Sequence, residues 1–167
     1  MDLSIALIAI VTIAAFVVPI LLVSRAKKLR DKRFLQLLIE MARKTNNTIS
    51  EYENFNNTAI GIDKNAFRLF FTRKTNAGEG AQLIDLKEVL RCRVVNTSNS
   101  VSRKENSYTV IEKIQLAFTY RDKNKPDTTM EFYNNDHDSL TISGELQIAE
   151  KWARIINENI AKIPSKK

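Results

Sequence analysis

The sequence predicts an α+β chain led by a transmembrane helix, and three observations carry that reading. Residues 3–23, LSIALIAIVTIAAFVVPILLV, hold no charge and only Ser4 and Thr12 as polar members. Behind residue 58 the apolar spacing changes from helical to alternating, the period of half-buried antiparallel strands. The closing stretch SGELQIAEKWARIINENIAKIP returns to helical spacing with a single apolar stripe.

At ~1.5 Å rise per residue the 21 residues of the first run make about 31 Å of helix, against a hydrocarbon core of roughly 30 Å. No basic segment precedes the run, it exceeds the ~7–15 residues of a signal-peptide core, and no A-x-A-like site follows. An uncleaved anchor over 1–23 is the expectation. Pro19 near one end is tolerable if Ser24 or a neighbouring chain satisfies the freed carbonyl. Arg25, Lys27, Lys28, Arg30, Lys32 and Arg33 follow the run while only Met1 and Asp2 precede it. Lys and Arg stay on the cytoplasmic side. The expected localisation is therefore the cell membrane, single-pass, with the N-terminus outside, the C-terminal domain cytoplasmic and the six basic side chains against the lipid bilayer surface.

The formal charge of +7 is uneven. Residues 24–44 carry eight Lys or Arg against Asp31 and Glu40, a net +6, whereas residues 45–167 carry 18 against 16, a net +2. A body this close to neutral argues against nucleic acid as a partner, and the basic run holds no aromatic before Phe34. Cys92 and His137 each stand alone, which excludes an intrachain disulfide, a multi-thiolate metal site and a His-pair site.

Residues 24–45 lack Gly and Pro and keep Leu29, Leu35, Leu38 and Met41 at helical spacing, so the first helix runs on as a basic connector. Its apolar second half packs on the domain, on a second copy or on the bilayer surface; the sequence leaves these three open. Asn46 and Asn47 end the pattern, and 46–58 reads as a linker in which Ile49, Tyr52 and Phe55 suit a short docking helix.

Six strands are expected at 59–63, 66–73, 81–85, 89–96, 108–121 and 128–134, the fifth long enough to split at a bulge and bring the count to seven. Turn chemistry separates them at DKN, TNAGEG, NTSNSVSRKEN and DKNKPD. In the closing helix Ser143 is the expected cap and Glu145 suits the positive end. Lys162 suits the negative end, and Pro164 stops the helix. Ala149, Trp152, Ala153, Ile156, Ile160 and Ile163 form its buried stripe.

Three segments, AIGIDKNAFRLFF (59–71), QLIDLKEVLRCRV (82–94) and AEKWARIINENI (149–160), stand in an order that resembles the bacterial pleckstrin-homology-like domain of the membrane-tethered type. The resemblance covers 59–163 and leaves 164–167 as a tail. It implies a PH-like, partly open antiparallel β-barrel closed by the C-terminal helix, and a binding or assembly role without catalysis. Phosphoinositide-binding relatives carry a Lys followed by a Lys/Arg-x-Arg cluster across the first hairpin. Lys64, Arg68, Arg73 and Lys74 depart from that pattern, so that site is not carried over.

Arg68, Arg91, Arg93, Lys113 and Arg121 sit on outward strand faces, where they make either one positive face for an acidic partner or lipid headgroups, or a solvated face balanced by Glu88, Glu112 and Glu131. Asn134, Asp136, Asp138 and Glu145 follow calcium-loop spacing, but Asn134 stands where a carboxylate is needed and Ser139 where the sharp turn wants Gly. TNAGEGA lacks the Lys-Ser/Thr of a phosphate loop. Catalytic residues, cofactor and metal are accordingly all expected to be none, and Cys92 reads as a small buried hydrophobe. The expected function is a membrane-anchored, non-enzymatic module that binds a protein partner or itself; the alternative is a sensor of anionic lipid.

Overall fold

The computed structural model describes residues 3–75, 78–103, 106–138, 142 and 144–164, with side chains from residue 12 onward apart from 14, 26, 27, 30 and 100–109. Helix α1 (Leu3–Lys44) is followed by strands β1 (Glu51–Phe55), β2 (Thr58–Asp63), β3 (Arg68–Thr75) and β4 (Gly78–Asp85). Then come β5 (Val89–Arg103), β6 (Asn106–Tyr120), β7 (Thr128–Asn134) and helix α2 (Glu145–Ala161). All strand pairs are antiparallel, in one sheet ordered β1-β2-β3-β4 and a second ordered β5-β6-β7.

Two expectations are corrected here. Neither sheet closes into a barrel: the chain passes from β4 to β5 through residues 86–88, and no ladder joins those two strands. The sheets face each other across side chains instead. The transmembrane expectation is also overturned, because among the described residues no helix is long and apolar enough to cross a membrane. The single-pass topology and the cell-membrane localisation fall with it. Ser24 Oγ donates to the Ile20 carbonyl at 2.8 Å, and not to the residue 15 carbonyl, five positions earlier, whose helical donor Pro19 removes.

The seventh strand arises from the presumed linker and not from a split in β6. Glu51–Phe55 pairs with β2 from Glu51↔Ile62 to Phe55↔Thr58, leaving Asn56 and Asn57 as a two-residue turn. Asn56 has φ 47°, the left-handed region that Asn tolerates and tight hairpins need. Three-residue spacing of Ile49, Tyr52 and Phe55 mimicked a helix, but β1 leaves Tyr52 exposed and buries Phe55. β5 and β6 run well past their expected ends into NTSNSVSRKEN, pairing as far as Arg103↔Asn106.

The main core lies between the two sheets and α2. Ile60, Ile62 and Leu69 meet Ile114, Leu116, Phe118 and Met130, while Phe132 stacks against Phe55 at 4.9 Å and Phe71 at 5.6 Å. Trp152 and Ile156 of α2 are fully buried against this layer. Helix α2 begins at Gly144, whose φ of 106° admits no ordinary side chain; Ser143 lies outside the described residues. Buried Glu145 in the first turn accepts a hydrogen bond from Asn56 Nδ2, which ties α2 to the β1–β2 turn.

A second, smaller core forms on the opposite face of the four-stranded sheet, where Phe34, Leu38 and Ala42 of α1 cover Ala59 and Phe70. The apolar half of the connector therefore packs on its own domain. Gly61 permits the close approach, since a Cβ there would sit 3.2 Å from Ile49 Cγ2 and 3.4 Å from Leu38 Cδ1. The helix stops at Lys44, with Asn46 at φ 58° and the Asn47 N–H donating back to the Ala42 carbonyl at 2.8 Å.

Candidate functional site

Strand alternation puts Arg73 of β3 in line with Leu69 and Phe71, yet a guanidinium cannot stay in an apolar layer unpaired. It crosses to the other sheet. Nη1 donates to both the main-chain carbonyl and Oε1 of Glu131 at 2.8 Å, and Nη2 donates to Asp138 Oδ2 at 2.6 Å. Only 7% of the Arg73 side chain is exposed, against 27% for Glu131 and 28% for Asp138. Asn134 extends the cluster: its N–H donates to Asp138 Oδ2 at 2.8 Å and its Nδ2 to Glu131 Oε2 at 2.9 Å. Of the residues with calcium-loop spacing, Asp138 thus holds Arg73 and Asn134 supports the two acids, while Glu145 is taken by Asn56. Burial, then the Asp138 and Glu145 carboxylates, push the neighbouring Tyr133 phenol up.

The expected basic residues do not converge. Arg68 lies on β3 of the first sheet, 4.0 Å from Asp85, whereas Arg91, Arg93 and Lys113 lie on the second sheet and Arg121 follows β6. Arg93 pairs with Asp127 at 3.3 Å. The acids expected to balance them serve elsewhere: Glu88 accepts Lys125 at 2.6 Å, Glu112 accepts Asn99 Nδ2 at 2.7 Å, and Glu131 belongs to Arg73. In the connector Arg25, Lys28 and Lys32 are exposed, Arg33 reaches Glu79 at 2.9 Å, and the side chains of Lys27 and Arg30 lie outside the described residues.

Asp63 of β2 accepts the main-chain N–H groups of Thr48, Asn65 and Ala66, each at 2.9 Å. Burial works to raise its pKa, but these three donors and the Arg68 charge outweigh it and hold the carboxyl below its ordinary range. Cys92 is buried and its thiol is pushed up to about 12 by desolvation, which leaves it a packing residue without thiolate character.

The strand edges differ in how they are finished. At β5, Asn157 of α2 accepts the Cys92 N–H with Oδ1 at 2.9 Å and donates Nδ2 to the Cys92 carbonyl at 2.8 Å, imitating a neighbouring strand. At β7, Arg73 reaches the Glu131 carbonyl and Asp138 the Asn134 N–H. β1 is braced by both helices: Glu53 accepts Trp152 Nε1 at 2.8 Å and Lys151 Nζ at 3.0 Å, and Asn54 Nδ2 donates to the Asp31 carbonyl at 2.9 Å. Among the described residues, apart from its ladder with β3, the main chain of β4 is met only at its two ends, by the Thr75 hydroxyl at the Gly78 carbonyl and by the Glu88 N–H at the Asp85 carbonyl. Sequence reading missed Arg73, Asn157 and the β4 edge. For the two side chains the available signal was a polar residue in phase with an apolar face.

On either side of β4 runs a groove. One, of about 260 Å³, lies between β4 and the flank of α1, where Leu37 and Met41 face Gly80 and Ala81. The other, of about 370 Å³, lies between β3–β4 and the second sheet, where Gln82 faces Gln115 and Thr129.

Beyond the docked part of α1, Ile13, Phe16, Ile20, Leu22 and Val23 are 59–71% exposed. No protein-family model matches the chain, and neither does any curated protein or solved structure.

Proposed function

We propose that the chain is a non-catalytic binding module that holds a protein partner through the exposed apolar stretch of α1 and presents it on the two-sheet body. The observation that carries this reading is the apolar surface itself. Phe16 is 71% exposed on a helix that is rigidly continued, through Phe34, Leu38 and Ala42, into the second core. So extensive an apolar surface calls for cover by another apolar surface. The polar groups of the body support the same reading, because Arg73, Asp63 and Asn157 are engaged in holding the fold. The order of strands followed by one helix with a buried Trp152 further supports kinship with pleckstrin-homology-like binding modules.

The full chain, purified in mild detergent, is compared with Phe16→Asp and Ile20→Asp chains for what stays attached. A partner retained by the unaltered chain and lost from both variants is the expected result. Identical recoveries would remove α1 as the binding surface.

A further inference from the structure

We infer that β4 is a homodimerisation edge, pairing antiparallel with β4 of a second copy to make one continuous eight-stranded sheet. The inference concerns a different surface from the apolar stretch of α1 and does not rest on the role proposed for that stretch.

A strand whose outer main chain is unmet is a template for another strand, and proteins usually blunt it with charge, proline, a bulge or a covering element. Here side chains meet the main chain of β5 at Cys92 and of β7 at Glu131 and Asn134, and β1 is tied to both helices through its Glu53 and Asn54 side chains. β4 is exposed from Gly78 through Leu83, and between Glu79 and Asp85 it reads Gly-Ala-Gln-Leu-Ile, with neither charge nor proline.

Side-chain alternation selects the occupant. Pairing with β3 sets Leu83 opposite Phe70 and Ala81 opposite Thr72, on the face covered by α1, while Gln82 lies opposite Phe71 on the other face. An added strand must therefore offer apolar residues toward the groove of Leu37 and Met41 and a polar one toward that of Gln115 and Thr129. β4 has that pattern itself, with Leu83 42% exposed and unused by its own chain's core.

Register follows from symmetry. A two-fold axis normal to the sheet lets only residues of the same face oppose each other. Centred on Ala81, it sets Glu79 against Leu83 of the second copy and Gly80 against Gln82 of the second copy, so that Leu83 enters the groove beside α1. Centred on Gln82, it would set Glu79 against Asp85, two like charges, which disfavours that register. Glu79 meanwhile keeps its own partner, Arg33.

The axis beside Ala81 brings the two copies' Cα atoms to roughly 4.5–5.5 Å, within disulfide range. The full-length Ala81→Cys chain is exposed to a mild oxidant alongside Lys87→Cys, an exposed position in the turn after β4. Cys92, buried and with its thiol raised to about 12, stays silent. The expected result is a covalent dimer from Ala81→Cys and monomer from Lys87→Cys, with the dimer lost when Leu83→Lys is added. Absence of the Ala81→Cys dimer, as when the edge serves another protein's strand, overturns the inference. So does equal cross-linking at Lys87→Cys, or a dimer indifferent to Leu83→Lys.

Discussion

The two faces of the four-stranded sheet are built on different principles. Its inner face is held by a second sheet and α2, with aromatic stacking, a buried tryptophan and the Arg73 cluster joining parts distant in sequence. Its outer face is held by a single helical stripe of Phe34, Leu38 and Ala42 over Ala59 and Phe70, and the ion pair nearest this contact, Arg33 to Glu79, lies at the surface. The inner face thus defines the domain, while the outer face attaches an arm to it. An interface of few apolar contacts opens locally more readily than one shared by three elements.

The sharpest way to break this contrast is at Trp152. Trp152→Ala removes the largest buried side chain of the inner core and its bond to Glu53, and should cost about 3–5 kcal/mol in a denaturant melt, with every element losing protection together. An unchanged melting midpoint would take α2 out of the core.

Leu38→Ala is the matching substitution on the outer face. It should cost roughly 2–3 kcal/mol, near the low end for buried leucine because one helix has room to settle. Hydrogen exchange should quicken in α1 while the strands stay protected. Equal acceleration in β6 would show that the two faces do not open separately.

Arg73→Met tests the polar link. Removing one partner from a buried ion pair leaves the others uncompensated, at ~3–5 kcal/mol when all are buried; about 2 kcal/mol is expected here because Glu131 and Asp138 keep about a quarter of their side chains exposed. Replacing the acids as well, as Glu131→Gln with Asp138→Asn, should recover part of that loss. No recovery would mean that Arg73 acts through packing alone.

The smallest effect is expected at Asp63, which fastens the segment after α1 to the β2–β3 turn. Its folded pKa is depressed, so its contribution is present above the ordinary carboxylate range and is lost as pH falls through the folded value. Asp63→Asn should flatten the acid limb of a stability-versus-pH curve and leave neutral stability lower. An acid limb identical in both chains would contradict this.

Much of the fold was legible because period is local. Leu69 and Phe71, Ile114 through Phe118, and the stripe from Ala149 to Ile160 occupy the buried positions their spacing predicts. Asn46 and Asn47 marked the end of α1 because their chemistry suits a helix stop wherever they occur. β1 escaped because five residues offer too little alternation to outweigh a three-residue coincidence, though the Asn-Asn turn beside it was a usable sign.

Tertiary structure alone decided the rest. Arg73 finds Glu131 and Asp138 across 58 and 65 positions of sequence, and Asn157 finds Cys92 across 65. No local pattern specifies which polar residue in an apolar phase will meet a partner. Nor does any strand's own sequence state whether its edge is covered, since that depends on where the other sheet and the helices come to rest. The period of the side chains determined which residues face inward. The packing of two sheets that never close determined that the middle of β4, from Glu79 to Leu83, lies exposed at the end of its sheet.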